Sequence, residues 1–370
     1  SVIALFSLLS IVNGLADMGM PGWNCSPDLM KKSKSIPKSV HSLRPADIEI
    51  VGALGDSLTA ANGAGAEHND ILGVAIQYRG LTFSVGGDMT LDEHISMANI
   101  LKKFNPNLFG YSIKTGSANV WETAHLNTGI PGAHSGDMME QANDLVRRLK
   151  EHPELDYTNQ WKLIHIFIGG NDMCGWCTHL DSATADNYRD NIRRAVQVLQ
   201  KELPKTIVVL TGMVDISLLR RADADHQFCK KIHKSECGCE VNPDVTDEML
   251  TNEAKLYMQK EQELQDSGEF DTNDDFTLIL QPFFEGVTDI CRNPDGTPNM
   301  DFFAPDCFHF GAYGHAIVGK NLWNNMLQPV GSKTVANFTD TGNPLLCPEP
   351  SCPFIRTTKN SVNCNQYMTD

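Results

Sequence analysis

The sequence has few basic residues and, beyond its first segment, no long apolar run. It carries 30 Lys and Arg against 46 Asp and Glu, for a formal net charge of −16. Because nucleic-acid binding depends on clustered Lys and Arg, this balance argues against a nucleic-acid partner. It also argues against attraction to anionic membranes, but not to neutral or zwitterionic lipids. No later run approaches the ~20 apolar residues of a membrane-spanning helix, and the polar C-terminus predicts no lipid-anchor tail.

The first residues form the one extended apolar segment. It is too short to span a bilayer comfortably, and Gly14-Leu15-Ala16 after it is a small-x-small cleavage pattern. These features predict a secretory signal peptide over residues 1–16, clipped at its start since the initiator Met and a basic leader are missing. The alternative is a buried N-terminal helix.

Cysteine is abundant for a chain of this size. Eleven cysteines after a signal peptide predict an oxidising compartment and several disulfides, and the odd number leaves at least one unpaired or bonded to another chain. Two sequons predict glycosylation of Asn24 and Asn337 if the chain is secreted. Together these features favour a secreted, extracellular or luminal protein without a transmembrane anchor.

Apolar runs alternate with amphipathic helical segments along most of the chain. We expect strands at 48–54, 81–85, 108–113, 163–168, 206–213 and 276–280, and helices at 91–104, 136–150, 184–201, 244–266 and 312–327. This alternation predicts an α/β fold, with a parallel sheet covered by helices on both faces. We expect an extended lead-in at 17–46, one domain at 47–330 and a disulfide-stapled tail at 331–370.

A serine follows the first predicted strand, in Gly55-Asp56-Ser57-Leu58. Parallel sheets place reactive groups at the carboxyl edge of their strands, so Ser57 is a candidate nucleophile. Gly87 and Asn171 also follow predicted strands, which predicts that they share this edge. Taken alone, the motifs of Ser57 and Asn171 are more typical of a turn or a helix cap than of a catalytic site.

The loop before the last helix supplies a candidate base and its partner. Asp306 and His309 lie three residues apart, a spacing that lets the carboxylate hold one imidazole nitrogen while the other faces Ser57. The alternative for His309 is a helix-capping or core histidine. The oxyanion donors would be the backbone N–H groups of Ser57 and Gly87 and the side-chain amide of Asn171.

Several motifs occur in a fixed order and together resemble the GDSL (SGNH) hydrolase family, in particular its phospholipase B branch. The resemblance covers roughly residues 25–360, and its blocks are Gly55-Asp56-Ser57-Leu58, Gln77-Tyr78-Arg79-Gly80, Ser84-Val85-Gly86-Gly87-Asp88, Ile130-Pro131-Gly132-Ala133, Phe167-Ile168-Gly169-Gly170-Asn171-Asp172, Asp306-Cys307-Phe308-His309 and Leu322-Trp323-Asn324-Asn325-Met326. The chain lacks a Gly-x-Ser-x-Gly elbow around Ser57, which disfavours the ordinary α/β-hydrolase fold.

The resemblance implies a role for each candidate residue. Ser57 would be the nucleophile, His309 the base, Asp306 its orienter, and Gly87 and Asn171 oxyanion donors. The implied fold is a three-layer α/β/α sandwich with a flavodoxin-like parallel sheet of about five strands, without metal or cofactor. The implied activity is hydrolysis of fatty acyl esters of glycerophospholipids and lysophospholipids at a membrane or micelle surface. No obligate protein partner is evident.

Two groups of cysteines permit other interpretations. Cys174 and Cys177 have the spacing of a redox pair, but a structural disulfide beside the active site is favoured. A second group could bind zinc by residue type, although disulfides are more typical of a secreted chain; it comprises His226, Cys229, His233, Cys237 and Cys239. We also expect Cys291 to pair with Cys307 and thereby restrain the loop of His309.

Aromatic residues near His309 are candidates for binding an acyl chain. They are Phe302, Phe303 and Phe308, with core packing as the alternative. Two other functions remain open. One is a GDSL esterase acting on acetylated glycans or on retinyl or acylglycerol esters, and the other is a secreted lipid-binding protein without turnover.

Overall fold

Four parallel strands form the central sheet of the computed structural model, which describes residues 15–179, 181–224, 226–338 and 342–368. The strands lie side by side in chain order: β1 (Ile48–Gly55), β2 (Trp161–Phe167), β3 (Thr206–Thr211) and β4 (Phe276–Gln281). In register, Val51 lies opposite Leu163, and Leu210 lies opposite Leu280. Nearly every strand residue is buried, as expected for a parallel sheet with both faces covered.

Helices pack on both faces of this sheet. On one face lie α3 (Met138–Glu151), α5 (Ala185–Glu202) and α9 (Asp247–Asp266); on the other lie α1 (Met97–Phe104) and α10 (Ala312–Met326). The shorter helices are α2 (Trp121–Ala124), α4 (Gly170–Gly175), α6 (Leu219–Asp223), α7 (Gln227–Glu236), α8 (Gly238–Val241) and α11 (Thr358–Val362). The prediction of a three-layer α/β/α sandwich is therefore confirmed.

Hydroxyl side chains fix where three of the helices begin. The side chains of Ser96, Thr184 and Thr246 each accept a hydrogen bond from the backbone N–H three residues further on. Such caps satisfy a donor that the first helical turn leaves unpaired. Because Ser96 caps α1, this helix begins at Met97 rather than at residue 91, where the apolar spacing had suggested it.

The sheet has fewer strands than expected. Within the described residues, 108–113 forms only isolated bridges, in which Phe109 meets Ile50 and Ser112 meets Gly86, and 81–85 forms no bridge at all. Gly110 interrupts the second segment with a φ of +97°, and in the first segment the N–H of Gly86 turns back to the carbonyl of Thr82. The apolar residues of both segments are mostly buried, but the segments are loops that pack on the core. Hydrophobic pattern alone does not distinguish such loops from strands.

Ten of the cysteines form disulfides, which link Cys25 to Cys347, Cys174 to Cys237, Cys177 to Cys239, Cys229 to Cys307 and Cys352 to Cys364. The expected link between Cys291 and Cys307 is wrong, because α7 brings Cys229 against Cys307. Cys291 is a buried free thiol. Cys174 and Cys177 do not bond to each other. They bond to Cys237, which precedes α8, and to Cys239 within α8, so their disulfides are structural.

The predicted signal peptide lies almost wholly outside the described residues, since only Leu15 and Ala16 are covered. Among the described helices, none is long and apolar enough to cross a membrane. Asn24 and Asn337 are both exposed, as glycosylation requires, although Thr339 of the second sequon is outside the described part. The Cys25–Cys347 disulfide joins the lead-in to the tail.

Candidate active site

Three side chains from two distant parts of the chain form a hydrogen-bonded series at the carboxyl edge of the sheet. Ser57 lies just after β1, and its Oγ donates to Nε2 of His309 over 2.8 Å. Nδ1 of His309 in turn donates to Oδ2 of Asp306 over 2.5 Å. This is the geometry in which a carboxylate fixes the imidazole tautomer and the imidazole can take the proton of the serine.

Asp306 is held in place by the loop that carries it. Its Oδ1 accepts the backbone N–H groups of Phe308 and His309, both at 3.0 Å, so both oxygens have partners. Burial alone would raise the pKa of Asp306, but the charge of His309 and these hydrogen bonds lower it overall. Burial likewise opposes the charged form of His309, but the charge and hydrogen bond of Asp306 raise the pKa of His309 above its ordinary value.

Two candidate oxyanion donors lie beside the nucleophile. Asn171, in the first turn of α4, lines the same cavity as Ser57, and its Nδ2 donates to the carbonyl of Ala133 over 2.9 Å. An amide nitrogen carries two hydrogens, so this bond orients the group and leaves one donor. In the described ranges, the backbone N–H of Ser57 has no backbone acceptor.

Gly87 differs from the expectation. It follows a turn rather than a strand, and its N–H donates to the carbonyl of Ser112 over 2.8 Å. A Cβ at this position would lie 2.1 Å from the ring of Tyr111, so close packing alone explains the glycine. Its role as an oxyanion donor stays a prediction, and that role requires the bond to Ser112 to be broken or shared.

Two side chains that the sequence did not single out hold the loops of the site. The amide of Gln141, on α3, accepts from the N–H of Gly55 and donates to its carbonyl, which fixes the end of β1. Ser135 binds Asp172 through both its N–H and its hydroxyl, at 2.9 and 2.6 Å, and so fixes the residue after Asn171. Neither residue belongs to a motif with known chemistry, so only the fold reveals them.

A partly open cavity lies beside Ser57. Its walls are mainly apolar and come from the loops after β1, β3 and β4 and from the tail; they include Leu58, Ile216, Leu219, Phe284, Ile290 and Phe338. The predicted acyl-binding residues Phe302, Phe303 and Phe308 all line it. A lining that is mainly apolar, with few polar groups, is typical of a pocket for an apolar ligand.

Helix α7 packs against the loop of Asp306 and His309. The Cys229–Cys307 disulfide joins the two segments, and Nε2 of His233 donates to the carbonyl of Asp306 over 3.2 Å. Cys229, Cys237 and Cys239 are all in disulfides, so their thiolates are not available as zinc ligands. The sequence had suggested α7 neither as a helix nor as a part of the site.

Comparison with known proteins agrees with this arrangement. Residues 51–322 match the model of the GDSL-like lipase/acylhydrolase family. Over 334 residues the chain is 42% identical to phospholipase B1, membrane-associated, from Rattus norvegicus, a match that covers 89% of this chain and 23% of that protein. The human protein of the same name is 42% identical over 335 residues, with the same coverage. The chain therefore spans about a quarter of the length of these relatives.

Solved structures give a weaker likeness. An extracellular lipase from Streptomyces rimosus has 14% sequence identity and a TM-score of 0.35, over 72% of this chain and 95% of that one. Values this low support no conclusion about function. The family match spans most of the chain and includes Ser57, Asp306 and His309, and from it we conclude that this chain belongs to the GDSL-like lipase/acylhydrolase family.

Proposed function

We propose that this chain is a serine esterase that hydrolyses fatty acyl esters of glycerophospholipids and lysophospholipids. The observation that carries the proposal is the hydrogen-bonded series of Ser57, His309 and Asp306 beside a cavity with mainly apolar walls. The 42% identity to proteins named phospholipase B1 supports the choice of substrate.

The proposed reaction has two halves. The Oγ of Ser57 attacks the ester carbonyl while His309 takes its proton, and the charge of Asp306 favours the resulting imidazolium. The oxyanion is stabilised by the N–H of Ser57 and the free N–H of Asn171, and the alcohol leaves with the proton from His309. Water then releases the fatty acid from the acyl-enzyme by the same steps. The acyl chain lies in the cavity, away from water.

We also propose that the protein works in an oxidising compartment, either secreted or luminal. Five disulfides in the described residues support this, because such bonds are rare in the cytosol. The exposed positions of Asn24 and Asn337 are compatible with glycosylation there. Its substrate would be met at a membrane or micelle surface.

An acetylated-glycan esterase and a lipid carrier without turnover fit less well. An esterase for acetylated glycans needs a polar site for sugar hydroxyls, whereas this cavity is lined mainly by Phe, Ile and Leu side chains. A lipid carrier has no need for a serine, an imidazole and a carboxylate in hydrogen-bonding order.

The test replaces the nucleophile. Ser57→Ala should abolish acyl release from phospholipids and lysophospholipids, because no other group in the site can form the acyl-enzyme. Wild-type protein should also be labelled by a fluorophosphonate at Ser57, as identified by peptide mass spectrometry. Ser332→Ala, which changes an exposed serine, is the control. Retained turnover in Ser57→Ala with an unchanged circular dichroism spectrum would overturn the mechanism; turnover by wild-type protein of acetylated glycans alone would overturn the substrate.

A further inference from the structure

The end of helix α7 brings a second carboxylate to the catalytic histidine. Glu236 lies close to both Asp306 and His309. The atoms that approach within 4.8 Å of one another are a carboxylate oxygen from each acid and a ring nitrogen of the histidine. Glu236 is half-buried, and within the described residues its Oε2 is shielded from solvent and has no hydrogen-bond partner. The carboxylate of Glu236 is thus near the imidazole, and one of its oxygens has no hydrogen bond elsewhere.

This placement does not depend on a flexible side chain alone. Glu236 is the last residue of α7, and the same helix is joined to the catalytic loop by the Cys229–Cys307 disulfide and by the hydrogen bond from His233 to the carbonyl of Asp306. The ring of Phe308 also packs edge-on against that of His233. Helix α7, which ends at Glu236, is therefore linked directly to the loop that carries His309.

We propose that Glu236 is a positioning residue for the catalytic base, whose negative charge stabilises the imidazolium that His309 becomes when it takes the serine proton. The proposal rests on the proposed esterase function and adds a fourth ionisable group to it. Two carboxylates near one imidazole favour its charged form more than one does, and partial burial reduces the screening of this attraction by water.

The charges around Glu236 set the pH range in which its carboxylate is ionised. Asp306 and His309 face it from the catalytic loop, and His233 faces it from its own helix. Asp56 also acts on His309, from the loop after β1. Burial, with the charge of Asp306 added, raises the pKa of Glu236 to about 7, against the opposing effect of the two histidines. Because the charges of Glu236 and His309 interact, the fall of activity at low pH reports the titration of the pair rather than of either group alone.

The experiment compares pH profiles of the wild-type protein and Glu236→Gln, with a soluble short-chain ester as substrate. Activity needs neutral His309, and the charge of Glu236 raises the pKa of this group. Removing that charge should move the acid limb of kcat/KM down by about one pH unit. Because the imidazolium is also less stabilised in the transition state, plateau kcat should fall about threefold while KM stays constant.

Two further variants separate this role from others. Glu236→Asp keeps the charge and should keep most of the wild-type profile. Lys234→Gln changes an exposed charge on the same helix and should leave the acid limb in place. An unshifted acid limb in Glu236→Gln, or the same shift in Lys234→Gln, would overturn the proposal. Failure of the wild-type protein to cleave any ester would instead overturn the proposed function, so the two failures are distinguishable.

Discussion

The side-chain amide of Asn171 has one hydrogen bonded to a backbone carbonyl, and we propose that the other one binds the oxyanion. Its Nδ2 donates to the carbonyl of Ala133, which fixes the direction of the second N–H. We expect Asn171→Ala to lower kcat by about 10²–10³-fold and to change KM little, because an oxyanion donor acts mainly in the transition state. Steady-state kinetics on a soluble ester measure this. Asn143→Ala, which removes an exposed amide that also binds a backbone carbonyl, should be unaffected; a loss confined to KM would contradict the role.

The charge of Asp306 should raise the pH above which the protein is active, because it raises the pKa of His309. The pKa of His309 lies above its ordinary value of 6.5, so kcat/KM should fall as pH falls through that raised pKa. Asp306→Asn should move this limb to lower pH and reduce kcat by roughly 10³–10⁴-fold. Asp295→Asn, at an exposed loop position, is the control. An acid limb unchanged in Asp306→Asn would mean that another group supplies the titration.

Asp306 and His309 also make the stability of the folded protein depend on pH, and their contributions change with pH in opposite directions. Asp306 has a lowered pKa in the folded protein, so its contribution is present above its ordinary pKa of 3.8 and is lost as pH falls through the folded value. His309 has a raised pKa, so its contribution is present below 6.5 and is lost as pH rises through the folded value. The pair therefore contributes most between these two limits.

Among individual residues, the sequence predicted that Ser57, Asp306 and His309 would meet, but not which other side chains surround them. Ser57, Asp306 and His309 could be predicted because each belongs to a short motif whose spacing has a chemical reason. Glu236 could not, since its approach to His309 depends on how α7 packs. Gly87 shows the reverse case: the motif suggested an oxyanion donor, whereas the structure shows its N–H bonded to Ser112.

The Cys229–Cys307 disulfide joins helix α7 to the loop of Asp306 and His309, and its removal should lower activity. We expect the double variant Cys229→Ser/Cys307→Ser to lose both stability, by about 2–4 kcal/mol, and kcat, because the loop of His309 is no longer held against α7. Thermal unfolding and steady-state kinetics, measured below the unfolding temperature, report the two losses separately.

The tail disulfide provides the matched control. Cys352→Ser/Cys364→Ser removes a bond of the same kind outside the catalytic loop, so it should lower the unfolding temperature without lowering kcat in the folded protein. Equal losses of kcat in the two double variants would show that the Cys229–Cys307 bond has no special effect on His309.

Elements with strong periodicity were predicted well, and those built by tertiary contacts were not. The helices at 184–201 and 312–327 differ from the observed α5 and α10 by at most one residue at either end. The strands expected at 81–85 and 108–113 are absent from the sheet. An apolar pattern of this kind shows only that one side of a segment is buried, and these two segments are buried as loops that pack on the core without strand pairing. Disulfide pairing failed for Cys291 because it depends on distances that spacing does not contain.

The cavity is a property of the whole molecule, since loops from across the sheet and the tail meet around it. Each methylene buried in an apolar pocket contributes about 0.8 kcal/mol, so kcat/KM should rise about fourfold for each added carbon until the cavity is full, and then level off. A series of soluble esters from acetate to dodecanoate, assayed below their micelle concentrations, measures this.

Phe338 is the contribution of the tail to that cavity. Its ring packs against those of Phe284 and Phe302, so Phe338→Leu should shift the preferred acyl chain to a longer one. Phe270→Leu, at a buried position on the other face of the sheet, should cost stability without changing the preference. A chain-length profile that is flat for the wild-type protein would show that the acyl group does not enter the cavity.

One covalent link has a practical consequence for handling the protein. Cys25 and Cys347 are 322 positions apart in sequence, yet their Cα atoms lie 5.7 Å from each other. Protease cleavage at a single exposed site between them would therefore leave both fragments attached, and the sample would migrate as intact on a gel run without reductant. Only after thiol treatment would the nick become visible, so purity judged without reduction would overstate the fraction of unbroken molecules.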